Sequence, residues 1–147
     1  MADCIEAIRD SKLGTVYFRS DEDIVNELTK GVGKEDFFVA SGDRNECLGF
    51  IWYHLTGAFH TYPYVHIVAV KKEFRGRGVG GALLHFFEEQ IFPNHSKAFL
   101  LVGDFNTAAR RLYERLGYQK ISEIPDLHEE GVTEYLMMKR RPNPEHS

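Results

Sequence analysis

Cysteine is scarce in this chain. Two occur in 147 residues, Cys4 and Cys47, and they form neither a metal-ligand spacing nor a disulfide framework, so a stapled secreted scaffold is excluded. Both are read as thiols in a reducing compartment, each a small, semi-buried hydrophobe. Also missing is any apolar run approaching the roughly 18 residues that a bilayer-spanning helix needs. The start, Met1-Ala2-Asp3-Cys4-Ile5-Glu6, lacks the basic and apolar regions of a signal peptide. The expectation is a soluble, cytoplasmic protein with no membrane partner. Positive charge is not in excess either: the formal net charge is -4, which argues against a nucleic-acid-binding domain driven by global electrostatics. Any anion site must be local.

What is present is a chain of one-domain length with 43% apolar residues. A domain of this size buries roughly 70% of the surface its unfolded chain exposes, enough for a core without staples. We expect a single domain over 1–139 and a flexible C-terminal tail over 140–147, Arg-Arg-Pro-Asn-Pro-Glu-His-Ser.

Ser20 before Asp21, Glu22 and Asp23 offers a cap and an acidic first turn for a helix near 21–31, with Gly31 and Gly33 as stops. Phe37 to Ala40 and Leu48 to Leu55 read as two strands of a hairpin joined by the polar turn at 41–46. Tyr64 to Val70 is almost continuously apolar and β-branched, the pattern of a central strand covered on both faces. Leu83, Leu84, Phe87 and Ile91 then recur at helical spacing until Pro93. Ala98 to Val102 is a second buried strand, at a crossover length that suits a parallel neighbour. A helix from about Asn106 to Leu116 follows, closed by Gly117, and strands near 118–124 and 133–139 end the chain. The fold class is α/β, a mixed β-sheet flanked by helices.

The chemistry concentrates between Val68 and Gly81. There Lys71, Lys72, Arg75 and Arg77 outnumber Glu73 by three charges, among glycines at 76, 78, 80 and 81. Glycines let the backbone turn and approach a ligand, and the helix start that follows supplies unpaired N–H groups and a positive dipole end. A phosphate or pyrophosphate belongs there. Gly76, Gly78 and Gly81 also satisfy the dinucleotide pattern G-x-G-x-x-G, but the chain after Gly81 holds too few strands for the rest of a doubly wound sheet. The P-loop fails because no Gly-Lys-Ser or Gly-Lys-Thr is present.

Arg75-x-x-Gly78-x-Gly80 after a buried strand, joined to Asn106-Thr107-Ala108-Ala109-Arg110-Arg111-Leu112-Tyr113-Glu114-Arg115-Leu116-Gly117-Tyr118, resembles the acyl-CoA-binding core of the GNAT superfamily of N-acetyltransferases. The resemblance covers about residues 35–139 in element order. It implies a sheet whose central parallel strands, 64–70 and 98–102, splay at their carboxyl ends. It implies that the backbone of Val68, Ala69 and Val70 pairs with the pantetheine arm of acetyl-CoA, and that Arg75, Gly76, Arg77, Gly78, Val79, Gly80 and Gly81 hold the pyrophosphate. Gly78 and Gly80 are then the positions where substitution hurts most.

The same resemblance places Asn106 on the pantetheine arm and Tyr113 beside the sulfur as general acid. A thiol near pKa 8.5 and a phenol near 10 are close enough for donation. Packing at a helix edge is the other reading of Tyr113. In a strand over 64–70, Tyr64, His66, Val68 and Val70 share one face, and some family members carry a carboxylate or histidine base on this strand. His66 is thus a candidate base, with a hydrogen-bonded core histidine as its other reading. Members that acetylate ribosomal protein N-termini usually carry a glutamate on the next strand, where this chain has Phe99-Leu100-Leu101-Val102.

The acceptor expected is a small-molecule amine. Glu123, Asp126, Glu129, Glu130 and Glu134 lie between Lys120 and Lys139 with no intervening Lys or Arg, which favours a cationic one; a solvated acidic loop explains the same run. A peptide amine, at an N-terminus or lysine, and a non-catalytic acyl-CoA-binding module are the competing readings. No metal is expected. The N-terminal portion is short, which leaves open whether one chain closes the pocket or a homodimer does.

Overall fold

The computed structural model describes residues 37–44 and 46–143. The helix expected near 21–31, Cys4 and the tail residues 144–147 lie outside the described residues. Six strands form one sheet in the order β1-β2-β3-β4-β6-β5. They are β1 (Phe37–Ser41), β2 (Cys47–Ala58), β3 (Tyr62–Val70), β4 (Lys97–Gly103), β5 (Gln119–Pro125) and β6 (Thr133–Arg140). Two helices are described with them, α1 (Val79–Ile91) and α2 (Thr107–Arg115). The expected mixed α/β sheet is therefore present.

The chain divides into two compact units. Unit 1 comprises, among the described residues, 37–53 and 66–86; unit 2 comprises 54–65 and 87–143. In unit 1 the hairpin of β1 and β2 is antiparallel, from Phe37 opposite Trp52 to Ser41 opposite Cys47, with a bulge between Ala40 and Ser41. Phe50, Ile51, Trp52, Tyr53 and Leu84 form its core. Aromatic packing joins them: Phe37 stacks on Phe50 at 5.3 Å, and Phe38 meets the edge of Phe86 at 4.9 Å. Cys47 is a buried thiol outside any disulfide, as expected of a small hydrophobe, with its Sγ 3.6 Å from the Gly49 carbonyl.

Unit 2 is built on β4. This strand is covered on both faces, with Ala98, Phe99, Leu100 and Val102 all buried. It pairs parallel with β3 at Tyr64 opposite Phe99 and Val65 opposite Leu100, and antiparallel with β6 from Lys97 opposite Arg140 to Gly103 opposite Glu134. The outer strand β5 is exposed along almost its whole length and carries Lys120, Glu123 and Pro125, residues that discourage further strand addition. Strand β6 extends through Arg140, and the Arg141 backbone N–H continues the pairing by donating to the Ser96 carbonyl at 2.8 Å, while its guanidinium Nη1 donates to the Phe92 carbonyl at 3.2 Å. Order therefore reaches two residues into the expected tail.

Two strands depart from expectation. β2 runs to Ala58 because Gly57 offers no Cβ where Tyr64 Cβ comes within 3.0 Å of its ideal position. β3 starts at Tyr62, and it is not covered on both faces: Pro63, Val65, Ile67 and Ala69 are buried while Tyr64, His66, Val68 and Val70 are only half buried. Apolar, β-branched side chains on the half-open face gave the strand the composition of a fully enclosed one.

Candidate active site

The predicted site residues fall into two groups, one in each unit. Unit 1 contains His66, Val68, Ala69, Val70 and the run from Arg75 to Gly81; unit 2 contains Asn106 and Tyr113.

In unit 1 the end of β3 is fixed from two directions. Gly49 lets β2 approach so closely that a Cβ there would sit 2.5 Å from the Ala69 carbonyl oxygen and 3.1 Å from the Val70 Cα. Beyond it, the Lys71 N–H donates to the Leu48 carbonyl at 2.9 Å. Arg75 reaches back, its Nε donating to the Val70 carbonyl at 3.3 Å. This arginine therefore braces the strand end and its guanidinium remains exposed. A single 3₁₀ turn, Lys72–Phe74, leads into the glycines, and Arg77 lies over the Phe74 ring at 5.7 Å.

Gly76 and Gly78 adopt φ of +77° and +81°, a left-handed conformation that L side chains rarely take, and an added Cβ at either would meet nothing within 4 Å. Their requirement is conformational. Gly80 and Gly81 already belong to α1 and carry no positive φ. Of the two positions singled out in the sequence, Gly78 has the positive φ and Gly80 does not.

The first helical hydrogen bond of α1 runs from the Ala82 N–H to the Gly78 carbonyl at 3.0 Å. The amides of Val79, Gly80 and Gly81 lie ahead of it, where no intrahelical acceptor exists. No acidic residue occupies this first turn, so the positive end of the helix is not neutralised by its own side chains. Open space at Gly76, Gly78 and Gly81, three leading amides and two exposed arginines fit a diphosphate.

His66 is half buried, with its ring edge-on to Trp52 at 4.4 Å.

In unit 2, Asn106 caps α2: its Oδ1 accepts from the Ala109 N–H at 3.3 Å. The capping uses the carbonyl oxygen and not the amide NH₂. Tyr113 is buried, 8% exposed, in the last turn of the same helix. Gly117, at φ +100°, closes that turn. Its N–H donates to the Glu114 carbonyl and the Tyr118 N–H to the Tyr113 carbonyl, both at 3.0 Å, the paired bonds of a Schellman stop. The Tyr113 and Tyr118 rings pack at 6.2 Å across it. The run Tyr113-Glu114-Arg115-Leu116-Gly117-Tyr118 is in this way a positioning device for the Tyr113 ring. Arg110, on the same helix, pairs with Glu114 at 3.0 Å and covers the Tyr135 ring at 4.6 Å.

Burial holds the Tyr113 phenol well above its ordinary pKa, and the neighbouring Tyr64 adds to the effect. Tyr64 is pushed up to about 12, first by burial and then by the negative charge of Glu134. Glu134 is 3% exposed. It belongs to β6, within the strand expected near 133–139, and is enclosed there instead of solvated. Of the other acids in that run, Glu123 pairs with Lys120 at 2.6 Å, and Asp126 accepts from the Gly131 N–H at 2.7 Å within its turn. Sequence reasoning set Tyr64 on one face of the strand with His66 and missed Glu134 as a buried group. The one available signal was the alternation Glu134, Leu136, Met138 along β6, which sets the acid in line with apolar side chains.

Among the described residues no group of three or more His, Cys, Asp or Glu could hold a metal ion, and no helix is long and apolar enough to cross a membrane.

The model of the acetyltransferase (GNAT) family matches residues 3–118, and the chain belongs to that family. An uncharacterized N-acetyltransferase of Methanocaldococcus jannaschii is 43% identical over 82 residues, which is 53% of this chain and 53% of that protein. The match thus spans about half the length of that relative. The fold is shared with a GNAT-family acetyltransferase from Bacillus cereus, at a TM-score of 0.78 and 17% identity over 97% of this chain and 91% of the other. A streptothricin acetyltransferase of Bacillus anthracis, solved in complex with acetyl coenzyme A, gives a TM-score of 0.66 at 19% identity, covering 76% of this chain and 66% of that one.

Proposed function

We propose that this protein is an acetyl-CoA-dependent N-acetyltransferase that passes the acetyl group directly to a primary amine, with a small cationic amine as acceptor, in the cytoplasm. The observation that carries the reading is the turn after β3: left-handed Gly76 and Gly78 deliver the chain into a helix whose first amides face no acid of their own. The amides of Val79, Gly80 and Gly81, with Arg75 and Arg77, hold the diphosphate. The backbone of Val68, Ala69 and Val70 pairs with the pantetheine arm, and the Asn106 amide NH₂ reaches the same arm. Acetyl-CoA supplies an activated thioester.

A backbone N–H near Val68 polarises the thioester carbonyl. The Tyr113 hydroxyl, kept protonated by burial, donates to the departing sulfur. An alkylamine near pKa 10.4 is almost entirely ammonium at neutral pH, so its proton has to leave before attack; His66, on the half-open face of β3, or a water takes it. Transfer without a covalent enzyme intermediate agrees with the burial of Cys47, whose Sγ lies 3.6 Å from the Gly49 carbonyl.

The test is release of free CoA thiol from acetyl-CoA in the presence of polyamines, amino acids, aminoglycosides and N-terminal peptides, with calorimetric titration of CoA alongside. Thiol release with a cationic amine is expected. Binding without release for any amine replaces the reading with a carrier or sensor of acyl-CoA, and absence of binding removes it.

A further inference from the structure

Three titratable side chains of unit 2 influence one another electrostatically, and the reaction proposed above uses only one of them, Tyr113. The other two are Tyr64 on β3 and Glu134 on β6. Register places them on one face of the sheet: Tyr64 stands opposite Phe99, Gly103 stands opposite Glu134, and Phe99, Leu101 and Gly103 alternate onto the same side of β4. Gly103 makes room there. A Cβ at that position would collide with the Phe105 ring and lie 3.1 Å from Glu134 Oε2, so the carboxylate is lodged against the glycine. On that face the rings of Phe59 and Tyr62 each pack on Phe99 with centroids 5.6 Å apart. The result is an aromatic surface with one buried negative charge, and the electrostatic influence runs from Glu134 to Tyr64 and from Tyr64 to Tyr113.

We propose that Tyr64 and Glu134 determine acceptor specificity: the Tyr64 ring meets the amine substrate, and the Glu134 carboxylate on the same face selects acceptors that carry a second positive charge. The electron-rich face of a tyrosine attracts a cation. A carboxylate shielded from solvent projects its charge with less screening than one on the surface. Tyr64 acts by contact, whereas Glu134 acts through its field and is a positioning residue. The inference rests on the functional reading above, and it names the chemical class of acceptor as a diamine or a longer polyamine.

The experiment compares diaminobutane with pentylamine, acceptors of similar length that differ in the charge at the far end, by thiol release from acetyl-CoA. The expected KM is at least about tenfold lower for the diamine in the unaltered protein, the range of one charge-assisted contact. Glu134→Gln keeps the shape, abolishes the preference, and leaves the KM for acetyl-CoA unchanged. It also moves one tyrosine of the alkaline absorbance titration to lower pH, an effect that loss of packing alone would not produce. Tyr64→Leu, a second variant that keeps an apolar side chain, reduces the preference as well. Equal KM values in the unaltered protein, or a preference that survives Glu134→Gln, overturn the assignment while leaving the acetyltransferase reading in place. Failure of the unaltered protein to release thiol with any amine overturns both.

Discussion

Alanine at Gly78 and alanine at Gly81 are the same chemical change three residues apart, and they are expected to shift stability in opposite directions. Neither added methyl meets an atom within 4 Å, so packing contributes nothing and only backbone conformation remains. At Gly78 the φ of +81° costs an L residue about 1–2 kcal/mol. At Gly81, inside α1, replacing glycine removes a helix penalty of about 0.5–1 kcal/mol. The two variants should differ by about 1.5–3 kcal/mol, which for a domain of this size is a gap of roughly 5–12 °C in Tm. Thermal unfolding followed by circular dichroism measures it. Equal melting temperatures would mean that the chain does not turn left-handed at Gly78, and the alignment of amides that carries the anion site would go with it. Calorimetry with CoA supplies the second readout. Gly78→Ala should weaken binding at a temperature where the variant is still fully folded, and undiminished affinity in that folded variant refutes the placement of the diphosphate.

Tyr113→Phe is expected to lower kcat by roughly tenfold or more with the KM for acetyl-CoA nearly unchanged, measured by steady-state thiol release; equal kcat removes the hydroxyl from the reaction. Gly49→Ala drives a methyl against the Ala69 carbonyl oxygen and the Val70 Cα, both backbone, and should cost about 1–3 kcal/mol in a chemical denaturation series. At the tip of the β2–β3 hairpin, His60 holds φ of +58°, so His60→Gly should raise stability by about 1 kcal/mol in the same series. Stability should also fall as pH rises from 10 to about 12: the unfolded chain ionises its tyrosines near 10, while Tyr64, pushed up to about 12, and Tyr113 and Tyr118, also raised, keep their protons in the fold. Each such group contributes stability that is intact below pH 10 and is lost at about 1.4 kcal/mol per pH unit above it. Denaturation midpoints at pH 9 and 11 check this, and Tyr64→Phe should flatten the loss.

Local signals carried most of the fold. The helix start near Asn106, the Gly117 stop and the turn at Gly76 and Gly78 were legible because each depends on a residue type that few others can replace at that backbone conformation. Enclosure was not legible in the same way. Val68 and Val70 are as apolar as Ile67, yet they lie on a half-open face, and nothing in a run of apolar residues says how much material covers each side of a sheet. Glu134 was hidden for a related reason: an acid among acids reads as solvated, and its burial follows from pairing with Gly103 in a strand far away in the chain. Glu88 repeats the case. It is buried on α1, accepting from the Tyr118 hydroxyl at 3.2 Å and pairing with Lys139 at 2.5 Å, partners 30 and 51 residues distant. Long-range polar partners of this sort leave no local pattern.

The burial of Tyr113 changes what that residue can do. A free phenol near 10 is already about 1.5 units less acidic than a thiol near 8.5, so complete proton transfer to a thiolate is uphill by about 2 kcal/mol before the protein acts. Burial and the neighbouring Tyr64 push the phenol higher still, and the uphill step grows. What grows with it is the certainty that the hydroxyl carries its proton at every working pH, and a neutral donor fixed in a low-dielectric site stabilises developing negative charge on sulfur without giving up that proton. The Schellman stop makes this possible, because the Tyr113 carbonyl is held by the Tyr118 amide and the two rings pack together, so the hydroxyl is aimed in advance of the reaction. In the proposed reaction Tyr113 is thus expected to act as an electrostatic donor to the leaving group, with the thiolate taking its final proton from solvent. A pH–rate profile of kcat with no ionisation between pH 7 and 9 assigned to this tyrosine is the expected signature. An inflection that disappears in Tyr113→Phe would instead restore it as the acid.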